Sequence, residues 1–264
     1  MAPIGIPTAV REFREDWGLD PEHPVDLDSL CQTIGTKIII EPLTGCSAYL
    51  AVANGNSTIG IAERIAHQSR AWRNFTIAHE LGHFHLHIDS MALAKSFNDD
   101  ERTLNQWSSD NRQESEANAF AAELLLPRPL VTNHLKTQAL DWPSIELLAQ
   151  KCHASLRATA RRCVELSSEA IALVVTDGKN IRWTAKSPSF RAGIQLGRAA
   201  HVMPGTTSSD WWPMPASDWL TGRDFNRKSE IQCNSRSPDK LQECLHLLWD
   251  ESGEVFDADY EEYN

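Results

Sequence analysis

Residues 79–83 spell His-Glu-Leu-Gly-His, an H-E-x-x-H pattern whose residue types suit one kind of chemistry above others. On an α-helix, residues four apart lie on one face about 6 Å from each other, so His79 and His83 can present imidazole nitrogens to a single zinc ion. Glu80 then stands beside the open coordination position. A carboxylate placed there can take a proton from a water and pass it to a leaving amine. Two neutral imidazoles and a carboxylate base are the apparatus of metal-assisted peptide-bond hydrolysis.

That apparatus works only on a helix. Residues 73–78 supply Asn74, suited to an N-cap, and then apolar residues at 75, 77, 78 and 81, the pattern of a mostly buried helix. Gly82 costs such a helix about 1 kcal/mol relative to Ala. Close approach of a second backbone near the metal is the compensation this glycine predicts.

Catalytic zinc usually takes three protein ligands and keeps one position open. His87 lies two helical turns beyond His79, about 12 Å along the axis, too far for His79, His83 and His87 to share one ion. His85 points about 200° away from His83. Both read as supporting or surface histidines. A better source of the third ligand is residues 110–127, where apolar positions 117, 120, 121, 124 and 125 repeat at helical spacing and Pro127 marks the stop. Within that helix Glu114 shares the buried stripe with Ala117, Asn118, Ala121 and Leu125, whereas Glu116 and Glu123 are turned by about half a circle toward solvent. An inward carboxylate needs a partner, and a metal ion is one; an acid favoured by the helix macrodipole is the other reading of Glu114. Asn118, one turn further on the same face, can orient a ligand by hydrogen bonding or serve as a plain buried amide.

With these two blocks, FTIAHELGH at residues 75–83 and ESEANAFAAELLLP at residues 114–127, the chain resembles the ImmA/IrrE family of bacterial zinc metallopeptidases. Weaker similarity begins at residues 24–27 and runs to about residue 168. The resemblance implies a zincin-like fold, zinc held by His79, His83 and Glu114, and Glu80 as general base. It also implies a class of partner: several members cleave an XRE-type helix-turn-helix repressor and so switch on genes for stress responses or mobile elements. Manganese is an alternative ion, since two histidines and a carboxylate accept either metal.

The 264 residues suffice for one large domain or two small ones. No stretch is apolar for long enough to span a bilayer, and residues 1–13 lack the basic start and apolar run of a signal peptide; a cytoplasmic protein is expected. Cysteines at 31, 46, 152, 163, 233 and 244 form no C-x-x-C pair and read as reduced, mostly buried thiols. Acidic residues at 250, 251, 254, 257, 259, 261 and 262, with no Lys or Arg after Lys240, carry most of the net charge of −11. They read as a solvated tail.

Several elements must position the site. Helices are expected over residues 9–17 and 25–34, the second ended by Gly35, then a strand over 36–41 and a hairpin of strands 47–52 and 57–62 about an Asn-Gly turn. The second hairpin strand precedes the HELGH helix, where an edge strand in zincins holds an extended peptide by β-augmentation; an ordinary sheet element is the equal alternative. Tyr49 there either packs or donates to an oxyanion. Residues 98–112 are polar and read as flexible-loop filler, with a loop bordering the cleft and Trp107 contacting substrate as the alternative. Residues 143–166 read as two short helices with Ser155 suited to an N-cap, and Arg157, Arg161 and Arg162 make the second basic. The arrangement is helix-turn-helix-like, with packing or protein docking favoured over DNA binding, in keeping with the overall acidity. From Ile171 short β-like runs follow at 171–175, 181–185, 194–202, 218–220 and 245–249. Trp183, Trp211, Trp212 and Trp219 concentrate there, as core or as binding surface.

The expected fold is therefore α+β. A zincin-like metallopeptidase domain over 1–130 packs its active-site helices on a small antiparallel or mixed sheet, followed by a helix-turn-helix-like segment over 131–168, a small mixed α/β or β-rich domain over 169–249, and a disordered acidic tail at 250–264. The expected function is a regulatory zinc endopeptidase. The alternative is a DNA- or protein-binding transcriptional regulator or toxin–antitoxin component whose peptidase-like domain is inactive.

Overall fold

The structure is a computed structural model that describes residues 5–53, 56–94, 111–177, 179–197, 210–222, 228–236, 243–253 and 255, with side chains described except at 88–94 and 111. The chain forms two compact units, Met1–Leu130 with Ala149–Ser155, and Val131–Leu148 with Leu156–Asn264. Both are mixed α+β. Among the described residues no helix is long and apolar enough to cross a membrane.

The first unit opens with α1 (Ile6–Asp16) and α2 (Leu27–Ile34). Asp26 caps α2 by accepting from Ser29 N at 2.8 Å, and Gly35 ends it in the left-handed region at φ 81°, where a glycine carries no Cβ penalty. Strands β1 (Thr36–Glu41), β2 (Ala48–Ala53) and β3 (Asn56–Ala62) form a sheet of order β1-β3-β2. β3 pairs parallel with β1 and antiparallel with β2. The expected hairpin is thus present, its Asn54-Gly55 turn lying outside the described residues, but β3 is central and the edges are β1 and β2. This corrects the expectation of an edge strand immediately before HELGH.

After the short α3 (Glu63–Ala66), α4 (Arg70–Ala94) carries the motif and packs on α5 (Asn111–Leu125). The cap of α4 is not Asn74, which is buried within the helix; Ser69 Oγ accepts from Trp72 N at 3.1 Å instead. A cap must sit where backbone N–H groups are free, and four more residues of helix precede Asn74. Phe13 of α1, Ile59 and Ile61 of β3, Ile77 and Leu81 of α4, and Phe120 and Leu124 of α5 are all buried; the Phe13 and Phe120 rings meet edge-on with centroids 5.3 Å apart. Burying such side chains stabilises by about 1.5–3 kcal/mol each before entropy is counted. Buried Arg14 of α1 donates to the carbonyls of Leu124 at 3.0 Å, His23 at 2.7 Å, and Asp20, tying α1 to the C-terminal turn of α5. Helix α6 (Arg128–Thr137) follows, its first N–H held by the Glu123 carboxylate at 3.0 Å. Glu123 is consequently buried, against the solvent-facing expectation: a helix start demands an acceptor, and Glu123 is the one in reach.

α7 (Trp142–Cys152) and α8 (Leu156–Leu166) are the two short helices expected over 143–166. His153 between them adopts φ 48°, a left-handed conformation that reverses the chain after a helix. In the second unit β4 (Ile171–Thr176), β5 (Ile181–Lys186), β6 (Trp212–Pro215), β7 (Glu230–Arg236) and β8 (Cys244–Trp249) make an antiparallel sheet of order β5-β4-β8-β7-β6. α8 packs on β4 and β5, while Val174, Ile181, Phe190, Trp219, Leu220, Ile231 and Leu248 form a buried cluster. Residues 218–220 belong to α9 (Ala216–Trp219) and its end rather than to a strand, and residues 194–197 form no strand. Pro215 stands at the N-cap of that helical turn, its own φ fixed near −56° by the ring. Residues 198–202, residues 95–110 with Trp107, and most of the acidic end lie outside the described residues. The start of that end is packed, not solvated: Asp250 N donates to Ala170 O at 3.0 Å, and Val255 is buried. None of the six cysteines is in a disulfide among the described residues, and four of them are buried.

Candidate metal centre

The stripe 79, 83, 87 on α4 faces α5 because Gly82, on the same side, lets the helices touch. A Cβ at Gly82 would lie 3.1 Å from Ala117 Cα and 3.2 Å from its carbonyl oxygen. At this distance side chains from both helices converge. His79 Nε2 lies 3.0 Å from His83 Nε2, and Glu114 offers Oε2 to His79 Nε2 and Oε1 to His83 Nε2, both at 3.3 Å. Ligand atoms of His79, His83 and Glu114 all fall within 4.8 Å of one another.

This donor set fits a divalent cation. Metal–ligand bonds of about 2.0–2.1 Å in tetrahedral geometry put neighbouring donors about 3.3 Å apart, the separation found between each imidazole and the carboxylate. Burial lowers the pKa of His79 against the pull of Glu114, and burial with the neighbouring His79 and His87 holds His83 down to about 4. Both rings are therefore neutral at pH 7 with lone pairs free to ligate. Asn118 is exposed, not part of the buried stripe, and its Oδ1 meets His79 Nδ1 at 3.0 Å; donation there leaves the Nε2 lone pair on the side of Glu114. Glu80 is buried, and burial, reinforced by the Glu114 charge, pushes its pKa up to about 8.

Other histidines and acids sort by contact. His85 packs its ring on Phe13 and Phe120, with centroids 5.1 and 5.7 Å away, and takes no part. His87 is buried and sets Nδ1 3.1 Å from His83 Nδ1 and Nε2 3.0 Å from Glu116 Oε2. Glu116 also accepts from Arg112 Nε at 2.9 Å, so its expected solvent-facing role is corrected. A wheel angle describes only the Cβ direction, and a glutamate carboxylate three torsions away settles on its partners. The continuation of the 79/83 stripe to position 87 was the signal for this contact. Tyr49 donates to Glu41 Oε2 at 2.6 Å, a bond that with burial pushes its pKa up to about 12; it is a sheet-spanning bond, not an open donor.

Residues 31–164 match the sequence profile of the M78 peptidases, described as the IrrE N-terminal-like domain. The chain belongs to the M78 family. Both helices of the M78 site lie inside that span, as does the whole three-stranded sheet. No curated protein matches the sequence. Among solved structures, a Mycobacterium tuberculosis transcriptional regulator is similar with a TM-score of 0.51 at 14% identity, over 93% of this chain and 75% of that one. At that identity the likeness concerns the fold alone. M78 is a metallopeptidase family, and the His-His-Glu cluster is the part of this chain that answers to a metal.

Proposed function

We propose that this chain is a metal-dependent endopeptidase of regulatory type, working in the cytoplasm on a protein partner such as an XRE-type repressor. The observation that carries the proposal is the convergence of His79 Nε2, His83 Nε2 and the Glu114 carboxylate on one point. These residues would hold zinc, with manganese as the alternative the donors accept. When bound, the cation supplies Lewis acidity to a peptide carbonyl and to water. Glu80 supplies the proton traffic: its carboxylate accepts the proton of the attacking water and delivers it to the departing amide nitrogen. A pKa lifted by burial toward neutrality suits a group that must both take and give. Asn118 holds the His79 ring.

The peptidase domain is proposed to occupy residues 1–130, with the helix-turn-helix-like segment at 131–168 and the β-rich domain at 169–249 serving to dock the partner, ahead of the acidic tail at 250–264. Arg157 and Arg161 support docking or packing over DNA binding. Their guanidinium groups stack 5.1 and 5.4 Å from the Trp183 ring centroid and pair with Glu243 at 3.0 Å and Glu165 at 2.7 Å, so they are committed within the protein. The alternative, a transcriptional regulator or toxin–antitoxin component with an inactive peptidase-like domain, makes a different prediction.

The deciding experiment incubates the purified chain with an XRE-type repressor, with and without added zinc. Cleavage only with metal is expected. Salt-dependent binding to the neighbouring promoter, indifferent to metal and to Glu80→Gln, with the repressor left intact, would establish the alternative.

A further inference from the structure

The two histidines of the site are supported differently. His79 leans on the side-chain amide of Asn118, whereas His83 leans on a second imidazole, which leans in turn on an ion pair: His83 Nδ1 to His87 Nδ1 at 3.1 Å, His87 Nε2 to Glu116 Oε2 at 3.0 Å, and Arg112 Nε to Glu116 Oε1 at 2.9 Å. His87 is 7% exposed, so neither of its ring nitrogens can easily exchange its partner for water.

Directions of donation follow from the chemistry of the far end. An ionised carboxylate has no proton to give, and the Arg112 guanidinium beside it keeps Glu116 ionised. His87 Nε2 must then be the N–H. With its ring proton on Nε2, His87 presents Nδ1 as the acceptor toward His83 Nδ1, 3.1 Å away. His83 is thereby left with its only lone pair on Nε2, the atom 3.3 Å from Glu114 Oε1.

Resting on the metal-centre reading above, we infer that His87 and Glu116 are positioning residues that set the tautomer of His83 and so aim its Nε2 lone pair at the cation. Neither touches the cation or the substrate. Without the relay, His83 divides between two tautomers, one of which points an N–H into the site. Partners of this kind typically change metal affinity by about 10- to 100-fold, and that is the size of the effect expected here. The charge on Glu116 matters because it is donor-free. A glutamine amide can turn its NH2 toward His87, which reverses both donations and leaves His83 with an N–H on Nε2.

The test uses the full chain stripped of metal, zinc titrated against a chromophoric chelator, and 15N-labelled histidine read by NMR. His87→Leu is expected to bind zinc about 10- to 100-fold more weakly and to show His83 as a tautomer mixture in the metal-free protein. His87→Asn, whose Oδ1 can replace the acceptor at Nδ1, is expected to recover most of the affinity and the Nδ1–H form. Glu116→Gln shifts the tautomer without removing bulk, and decides the matter if His87→Leu does not fold. His83→Ala is the control. If His83→Ala loses zinc while His87→Leu and Glu116→Gln keep both affinity and tautomer, the relay is wrong and the metal centre stands. If His87→Asn loses as much as His87→Leu, the acceptor role is wrong. If His83→Ala binds zinc like the unaltered chain, the metal centre itself falls, and the relay with it.

Discussion

Gly82 and Ala117 meet backbone to backbone, with room for no further carbon: a methyl on Gly82 would stand 3.1 Å from Ala117 Cα and 3.2 Å from Phe120 Cβ. Because Glu114 rides on the same helix as Ala117, this contact sets how close the carboxylate comes to His79 and His83.

Gly82→Ala gains about 1 kcal/mol of helix propensity and loses about 1–3 kcal/mol to overpacking, so the melting temperature should hold or fall by several degrees. Zinc affinity should fall, and Gly82→Val should lower both. Competition titration and thermal denaturation check this; a Gly82→Val chain that holds zinc as tightly as the original would show that helix spacing does not govern the site.

Glu114→Ala removes the single carboxylate among the three converging donors. Metal bound per chain, measured after dialysis against trace zinc, should drop well below one. An unchanged stoichiometry would move the third ligand elsewhere.

Glu80→Gln should keep zinc and lose cleavage by about 10²–10⁴-fold, the usual contribution of a general base. Full turnover in that variant, assayed with the proposed repressor substrate, would remove Glu80 from the mechanism.

Gly60 faces Tyr49 across the β2–β3 pair, and a Cβ there would run into the Tyr49 ring at Cε1 and Cζ. The ring passes over the gap to reach Glu41 at the far edge strand. Gly60→Ala is expected to cost about 1–3 kcal/mol by overpacking, and Tyr49→Ala in the same chain should return part of that loss. Strictly additive effects in a double-mutant cycle of denaturant unfolding would refute the contact.

His246 lies fully buried in β8, with Nδ1 2.7 Å from Ser235 Oγ and Nε2 3.1 Å from Thr176 Oγ1. Burial holds its pKa down to about 4, from 6.5. A depressed folded pKa means that below pH 6.5 the unfolded chain binds a proton the folded chain refuses. The stability His246 contributes is complete above that pH and falls away toward pH 4, by about 3 kcal/mol in all. Hydrogen exchange of β4 and β8 amides at pH 7 and pH 5, corrected for intrinsic rates, should show this loss. His246→Leu should flatten it, and an equal slope in the variant would assign the pH dependence to other groups.

Wherever one side chain answers to local spacing, the sequence was legible. The four-residue interval of His79 and His83 required a helix, and the stripe through Ala117, Ala121 and Leu125 placed Glu114 on the inner face of another; both helices are present. Asp26 and Gly35 announced the ends of α2, and both act as caps. Glu116, Glu123 and Asn74 depart from the spacing for two different reasons. The two carboxylates follow partners that a wheel angle does not show, His87 on α4 with Arg112 one turn back for Glu116 and the first N–H of α6 for Glu123, whereas Asn74 lies inside a helix that begins four residues earlier.

What the chain by itself determined is a pair of helices, one bearing two histidines and a base and the other an inward carboxylate, since helical period depends only on neighbours along the backbone. What only the tertiary structure decided is which atoms meet: that β3 is central, that Tyr49 spends its hydroxyl on Glu41, and that His87 reaches Glu116 while His85 packs against two phenylalanines. Those pairings depend on strand order and interhelical distance, and these are set by how buried side chains fill space across elements far apart in sequence.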